Sequence, residues 1–95
     1  MELQDNTMGV DEKGKVTGSA LIPLENGYYV SCSVTSYEYD GDKLNHVPHC
    51  VLADDGGKII HEAYTHDSLN AEVAIDRAED RAERLAENYE MYVSE

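Results

Sequence analysis

The segment that decides the fold is residues 71–93, AEVAIDRAEDRAERLAENYEMYV. At about 100° per residue, a helix over this range divides its circumference into three sectors. Apolar side chains fill a sector about 120° wide, and Arg77, Arg81 and Arg84 form a narrow stripe beside it. The third sector, named the acidic ridge here, consists of Glu72, Asp76, Glu79, Asp80, Glu83, Glu87 and Glu90. The sequence therefore predicts one long helix that buries one side and shows carboxylates on another.

The residues before this helix have the two-residue periodicity of β-strands. Between Tyr28 and Tyr39, small apolar side chains alternate with tyrosine, serine and threonine, which predicts a strand with one buried face. Further strands are predicted over three ranges: 15–24, 44–53 and 58–64. Pro23 favours an edge position for the first of these, and Pro48 is expected to disturb the second. The strands are separated by turn signals at Asn26-Gly27, 40–42 and 54–57. This order predicts an α+β fold, an antiparallel three- to four-stranded meander with one long C-terminal helix packed on one face.

Chain length and the N-terminal sequence set the expected domain organisation. The 95 residues accommodate one hydrophobic core, so we expect a single α+β domain over 15–95. Residues 1–14 are polar and lack periodicity, which predicts a flexible N-terminal lead-in. Met1 is followed by a polar stretch without the apolar region of a secretory signal, and no apolar run has the length of a membrane span. A cytoplasmic location with reduced cysteines is the resulting expectation.

The apolar side of the helix allows a second interpretation. Its members follow the heptad-like spacing of a coiled-coil seam at positions 71, 75, 78, 82, 85, 89 and 92. Several of these residues are alanine, which makes a weak seam and favours close packing on a sheet. Association of two copies through this stripe, or through the helix end between Tyr89 and Val93, stays open.

The charge of the chain is strongly negative, with 20 acidic and 7 basic residues and a net charge of −13. Such a charge opposes direct binding of nucleic acid or of an anionic membrane, and it favours a basic protein partner. Along the ridge, like charges stand four residues apart, as in Glu72–Asp76 and Glu83–Glu87, and each pair costs roughly a few tenths of a kcal/mol. We interpret the ridge as a negative strip that occupies a basic groove as a phosphate backbone would. An acidic composition that serves only solubility, or a halophilic cell, gives the same pattern.

Two further groups of side chains join the ridge as candidate partner contacts. Acids at the predicted hairpin turns would extend the negative strip: Asp40, Asp42, Asp54 and Asp55. Tyr29, Tyr37 and Tyr39 share one face of their strand, and they point outward if the helix covers the other face. Exposed tyrosines supply large contact area at protein interfaces. We therefore predict that all these residues take part in binding a partner.

Cysteine and histidine side chains lie close together in the second half of the chain. A two-residue turn at Asp55-Gly56 would place Cys50 opposite His61, which gives the alternative of a metal-binding domain on this pair. The spacing matches no established zinc pattern, so we expect no metal and no cofactor. A three-residue connection at 40–42 would place Cys32 opposite Cys50, whereas a four-residue connection would not. In both cases we expect reduced core thiols.

The sequence contains no motif of an established catalytic class. It has no Gly-rich nucleophile turn, no phosphate-binding loop and no HExxH, so we do not expect an enzyme. In size, acidity and lack of catalytic motifs, the chain resembles the small acidic inhibitors encoded by phages, among them anti-CRISPR and anti-restriction proteins, some of which mimic DNA. The resemblance implies a non-enzymatic inhibitor that occupies a basic, nucleic-acid-binding surface of a larger protein. The alternatives are a homo-oligomeric structural or accessory domain, assembled through the C-terminal helix, and the metal-binding domain on Cys50 and His61.

Overall fold

The chain forms an antiparallel sheet with one long helix across one of its faces. The computed structural model describes residues 5–41 and 43–93. Its strands are β1 Asp5–Asn6, β2 Gly9–Val10, β3 Val16–Thr17, β4 Ala20–Pro23, β5 Tyr29–Tyr39, β6 Lys43–Ala53 and β7 Ile59–Tyr64. Its helices are α1 Ala71–Glu87 and α2 Glu90–Val93. The sheet order is β1-β4-β5-β6-β7, and β2 pairs with β3 in a separate ribbon. The predicted meander, β4 to β7, with the helix α1 packed on it, is confirmed.

The turns of the meander fix the register of its strands. Between β4 and β5, Asn26 and Gly27 both have positive φ, 61° and 83°, and the N–H of Tyr28 donates to the carbonyl oxygen of Glu25 at 3.3 Å. This is the pattern of the type I′ turn that Asn-Gly predicts. At the next turn, a three-residue connection between β5 and β6 places Cys32 directly opposite Cys50.

Pro48 leaves the pairing of β5 with β6 intact. Its cross-strand partner is Val34, within an unbroken ladder. The carbonyl oxygen of Pro48 accepts a hydrogen bond from the N–H of Thr65 at 3.3 Å. In an antiparallel strand, the N and O of one residue point to the same side, so the missing N–H of Pro48 faces Thr65 and not β5. The prediction that Pro48 disturbs this strand is therefore wrong.

The N-terminal part of the sheet differs from the sequence prediction. Asp5–Asn6 pairs with β4 and Gly9–Val10 pairs with β3, although both lie within the stretch assigned to a lead-in. Pairing of two residues uses backbone groups alone, so it leaves no side-chain periodicity to detect. The predicted strand 15–24 is divided at Gly18, where φ is 83° and an added Cβ would lie 2.3 Å from the carbonyl oxygen of Thr7. Only glycine permits this close approach.

The core lies between α1 and the inner face of the sheet. The sheet contributes Ala20 and the larger residues Ile22, Val30, Cys32, Cys50 and Leu52, each at most 2% exposed. The helix contributes Ala74, Ala78, Ala82, Leu85 and Ala86. Because most of these are alanines, the helix backbone approaches the sheet closely. The stripe that could have formed a coiled-coil seam is packed on the sheet, so association of two copies would need another surface.

Asparagine side chains cap α1 at both ends. The Oδ1 atom of Asn70 accepts a hydrogen bond from the N–H of Val73, in the first turn of α1, at 3.1 Å. At the other end, Asn88 leaves the helical conformation, with φ −113° and ψ 16°, and its Nδ2 donates to the carbonyl oxygen of Arg84 at 2.9 Å. A separate short helix begins at Glu90. The prediction of one continuous helix over 71–93 is wrong at this point, because the backbone leaves the helical range at Asn88, whose N–H and Nδ2 both donate to the carbonyl oxygen of Arg84 and cap α1 there.

Aromatic contacts hold this C-terminal end against the sheet. The ring centroids of Tyr28 and Tyr89 are 6.1 Å apart, and His61 stacks on Tyr92 with centroids 4.2 Å apart. Within the described ranges, neither helix is long and apolar enough to cross a membrane.

Candidate protein-binding surfaces

The acidic ridge follows the solvent side and one flank of α1. Four of its six members on α1 are exposed, namely Glu72, Asp76, Asp80 and Glu87. Glu79 and Glu83 are half-buried, and Oε2 of Glu79 accepts a hydrogen bond from Nδ2 of Asn6 in β1 at 2.6 Å. Glu90 belongs to α2. Carboxylates therefore follow α1 from Glu72 to Glu87, with the half-buried Glu83 between the exposed Asp80 and Glu87, and the flank that carries Glu79 touches the first strand of the sheet.

The exposed ridge is little neutralised by basic side chains. Arg84 forms an ion pair with Asp80, four residues before it, at 3.3 Å, but both side chains are more than 60% exposed. Such surface pairs contribute little stability. In the described part of the chain, Glu72, Asp76, Glu83 and Glu87 form no ion pair with lysine, arginine or histidine. Their like-charge repulsion along the helix is therefore unrelieved.

Replacing Glu87 with lysine is expected to stabilise the protein by about 0.5–1 kcal/mol. The change removes the repulsion between Glu83 and Glu87 and creates an acid-to-lysine pair in the favourable orientation. It also places a positive charge in the last turn of α1, where the helix dipole favours a cation. Urea unfolding at low salt measures the gain.

The control for this prediction is Glu12→Lys, which makes the same charge change at an exposed turn outside the helix. A purely global effect of lowering the net charge would stabilise both variants equally, and that result would contradict the local explanation. The gain from Glu87→Lys should shrink at high salt, since exposed charges are screened.

The aspartates of the hairpin turns lie at opposite ends of the molecule. Asp40 precedes β6, and Asp54 and Asp55 follow it, so about 36 Å of strand separates them at roughly 3.3 Å per residue. Asp54 has a structural role, because its Oδ1 accepts the N–H groups of Gly56 and Lys58, each at 2.9 Å. Asp42 lies outside the described residues. The described turn acids are therefore divided between the two ends of β6.

The three candidate tyrosines lie on the face of the sheet opposite α1, named the outer face here. Tyr37 and Tyr39 are 56% and 40% exposed, and Tyr29 is half-buried. The alternation of β5 confirms that these side chains point away from the buried Val30. Since the sheet lies between them and the acidic ridge, a flat partner surface reaches one group or the other. The structure divides the predicted site into two surfaces.

The outer face contains a cluster that the sequence patterns did not indicate. His49 stacks on Tyr64 with ring centroids 4.4 Å apart, and its Nε2 lies 3.1 Å from Oε2 of Glu62. This contact depends on the register of β6 with β7, which the turn at 54–57 leaves ambiguous in the sequence. The histidine is thus engaged by two side chains of the neighbouring strand.

Cys32 and Cys50 form a buried thiol pair beneath α1. Both are free thiols at most 2% exposed, and Sγ of Cys50 lies 3.4 Å from the carbonyl oxygen of Ala78. The Cys50 thiol, hydrogen-bonded to Cys32, lowers the pKa of Cys32. The same hydrogen bond, together with burial, raises the pKa of Cys50. Cross-strand packing in the core accounts for both positions.

The alternative metal pair is not brought together. A bulge near the β6–β7 turn makes Ile60 an extra residue, so Cys50 faces Ala63 and Leu52 faces His61. His46 is buried elsewhere, with its Nδ1 2.7 Å from Oγ of Ser36. Among the residues that the structure describes, no group of three or more His, Cys, Asp or Glu side chains could hold a metal ion. The predicted juxtaposition of Cys50 with His61 is therefore wrong.

A groove of about 720 Å³, named the arginine groove here, lies between the arginine stripe of α1 and the segment that follows β7. Its walls include Arg77, Arg81 and Arg84 from the helix and Tyr64, Thr65 and Asp67 from the other side. Nη1 of Arg77 donates to the carbonyl oxygens of His66 at 3.3 Å and Asp67 at 2.9 Å. The sequence shows the stripe but not the groove, because the groove depends on how α1 is rotated over the sheet.

Comparisons with known proteins identify no relative of this chain. No protein-family model matches the chain, and neither the curated proteins nor the solved structures contain a significant match. The functional argument therefore depends on the surfaces themselves.

Proposed function

We propose that this protein is a non-enzymatic inhibitor that places the acidic ridge of α1 in a basic, nucleic-acid-binding surface of a larger protein. The observation that carries the proposal is the exposed, largely unpaired line of carboxylates on a helix that is rigidly packed on the sheet. The mode of action resembles that of phage-type anti-CRISPR and anti-restriction proteins.

The spacing of the charges supports partial mimicry of a phosphate backbone. From Glu72 to Glu87 the ridge extends about 22 Å, at a rise of about 1.5 Å per residue. Its six carboxylates on α1 are then about 4.5 Å apart on average, and the four exposed ones are about 7.5 Å apart, against about 3.4 Å between the phosphates of one DNA strand. The ridge presents a sparser line of charge than DNA, fixed on a preformed element. A rigid charged surface binds at a lower entropic cost than a flexible acidic tail.

The structure alters the expected role of the tyrosines. Since Tyr37 and Tyr39 lie on the outer face, they do not serve as anchors beside the ridge. In this proposal the ridge is the inhibitory surface, and the outer face is available for a second contact of the same partner or of another one.

The test compares capture of a partner by the wild-type chain and by the double variant Asp76→Lys, Glu87→Lys. These two side chains are exposed and lie about 20° apart on the helix wheel, so the substitutions interrupt the ridge without touching the core. A captured protein is purified, and displacement of its nucleic acid by the chain is measured at increasing salt. We expect displacement by the wild type, an affinity that falls steeply with salt, and a loss of at least about tenfold in the variant.

The matched control is Glu12→Lys with Glu25→Lys, which changes the net charge equally at exposed positions outside α1. It should retain most of the affinity. Equal binding by the wild type and the ridge variant would refute the proposal, as would a partner whose nucleic acid is not displaced.

A further inference from the structure

We propose that the arginine groove binds an extended acidic segment of a partner chain, with its carboxylates on Arg81 and Arg84. This inference does not rest on the inhibitory role of the ridge, because it uses the arginines on the other flank of α1; Asp80 is the ridge member that also lines the groove.

The groove is a positive site on a negative protein. It contains three of the seven lysines and arginines of the chain, against the two acids Asp67 and Asp80. Its formal charge is therefore +1, whereas the whole chain carries −13. Arginines dispersed for solubility would alternate with the acids of the helix. Their segregation along one wall of a groove favours recognition of an anion.

The arginine side chains retain hydrogen-bonding capacity for a ligand. Arg77 is held by backbone carbonyls, and Arg84 by an exposed ion pair with Asp80. Between them, Arg81 lines the groove; its Nε is buried without a hydrogen-bond partner among the described residues, so a ligand would meet this guanidinium at its terminal Nη groups. Each guanidinium has five N–H donors in a fork that matches a carboxylate. A carboxylate also relieves the repulsion between Arg81 and its neighbours, which stand four residues before it and three after it.

The shape of the site favours a chain over a single small anion. The stripe from Arg77 to Arg84 is about 10 Å long, and successive arginines are about 5–6 Å apart. Alternate side chains of an extended peptide are about 6.6 Å apart on one side. Glutamates or aspartates at every second position therefore match neighbouring arginines, whereas one small oxyanion would engage only part of the stripe.

The sheet edge beside the groove offers backbone pairing to such a chain. Thr65 donates to β6 through its N–H, so, by the alternation of an antiparallel ladder, the N–H and C=O of Tyr64 point away from β6. β7 is an edge of the sheet among the described strands, and the side chain of Tyr64 is 67% exposed. A peptide strand added at this edge runs beside the arginines.

A second copy of the chain fits this edge poorly. Antiparallel pairing of β7 with its own copy places both helices on the same side of the joined sheet, so the two arginine stripes would face each other. The two chains would also repel through their charges of −13. An acidic segment of a different protein brings no second arginine stripe to this edge, so it avoids the first of these two repulsions.

The test uses a short fluorescein-labelled peptide that alternates Glu with Thr, at about 0.15 M salt, where long-range repulsion is screened beyond roughly 8 Å. Fluorescence anisotropy gives its affinity for the wild type and for Arg81→Gln with Arg84→Gln. The matched control, Lys43→Gln with Lys58→Gln, removes two positive charges outside the groove. We expect the arginine variant to weaken binding at least about tenfold and the lysine variant less than about twofold.

Nuclear magnetic resonance localises the site, and the Nε–H signal of Arg81 should shift as the peptide is added. Equal weakening by the two double variants would overturn the proposal, as would equal binding of a Gln–Thr peptide. Two further results would also overturn it. Inorganic phosphate displacing the peptide at the same concentration would indicate a small-anion site, and a doubling of mass without peptide would indicate a second copy. The ridge variant Asp76→Lys, Glu87→Lys should bind the peptide no less tightly than the wild type, which separates this proposal from the inhibitory one.

Discussion

Replacing Leu52 with alanine is expected to lower the free energy of unfolding by about 3 kcal/mol, within the range for buried leucines. Leu52 is fully buried on β6, in a core that contains neither phenylalanine nor tryptophan. Its neighbours in that core are mainly alanine, valine and cysteine, and such small side chains cannot refill the cavity. For a domain of this size the loss is a large fraction of the total stability. Urea unfolding followed by circular dichroism measures it.

The matched control is Leu69→Ala, the same chemical change at a side chain that is 67% exposed. We expect a loss below about 0.5 kcal/mol there. Similar losses in the two variants would contradict the packing described for Leu52.

The second large effect is expected for Ala78→Leu, which should cost about 2 kcal/mol by overpacking. Ala78 is fully buried where α1 crosses the sheet, and its carbonyl oxygen lies 3.4 Å from Sγ of Cys50. Alanine and leucine are both strong helix formers, so the loss reports on packing and not on helix propensity. The larger side chain displaces α1 from the sheet. Thermal or urea unfolding measures the loss.

Two comparisons test the steric cause. Val73→Leu enlarges a side chain that is 37% exposed on the same helix, and it should be nearly neutral. Combining Ala78→Leu with Cys50→Ala should restore part of the stability, because the second change removes the sulfur that lies 3.4 Å from the carbonyl oxygen of Ala78. An undiminished loss in the combined variant would point to a cause other than crowding at Cys50.

The fold is the part of this molecule that its sequence predicts well. Strand periodicity between Tyr28 and Tyr39, the Asn26-Gly27 turn and the apolar stripe of α1 are local signals, and each appears in the structure where expected. Agreement among several local signals is what specifies a small meander. Departures occur where one side chain or one backbone contact decides the outcome, as at Asn88 and Gly18.

The arrangement of the candidate surfaces is much less predictable. The bulge at Ile60 shifts the register of β7 and separates Cys50 from His61, although the turn sequence alone allows the other register. The separation of Tyr37 from the acidic ridge by the thickness of the sheet follows from which face α1 covers. The composition of the strands alone does not say which face of the sheet α1 covers. The arginine groove likewise arises only when the helix, the sheet edge and the Thr65–Asp67 segment are assembled.

The two flanks of α1 differ in their consequences for a partner. The flank that carries Glu79 is tied to β1 through Asn6, whereas the flank that carries Arg81 borders a groove. A partner with both a basic surface and an acidic segment could therefore contact the helix from two sides. The variants proposed for the ridge and for the groove measure these contributions separately.

The order of elements along the chain has a kinetic consequence. Strands β4 to β7 are joined by short turns, so each hairpin closes a small loop and can form early during folding. The alanines that cover Val30 and Leu52 come later in the chain, in α1. A chain made from its N-terminus thus completes an apolar sheet face before it makes the helix that covers it. During that interval this face is the part of the molecule most prone to aggregation, and rapid docking of α1 removes the hazard.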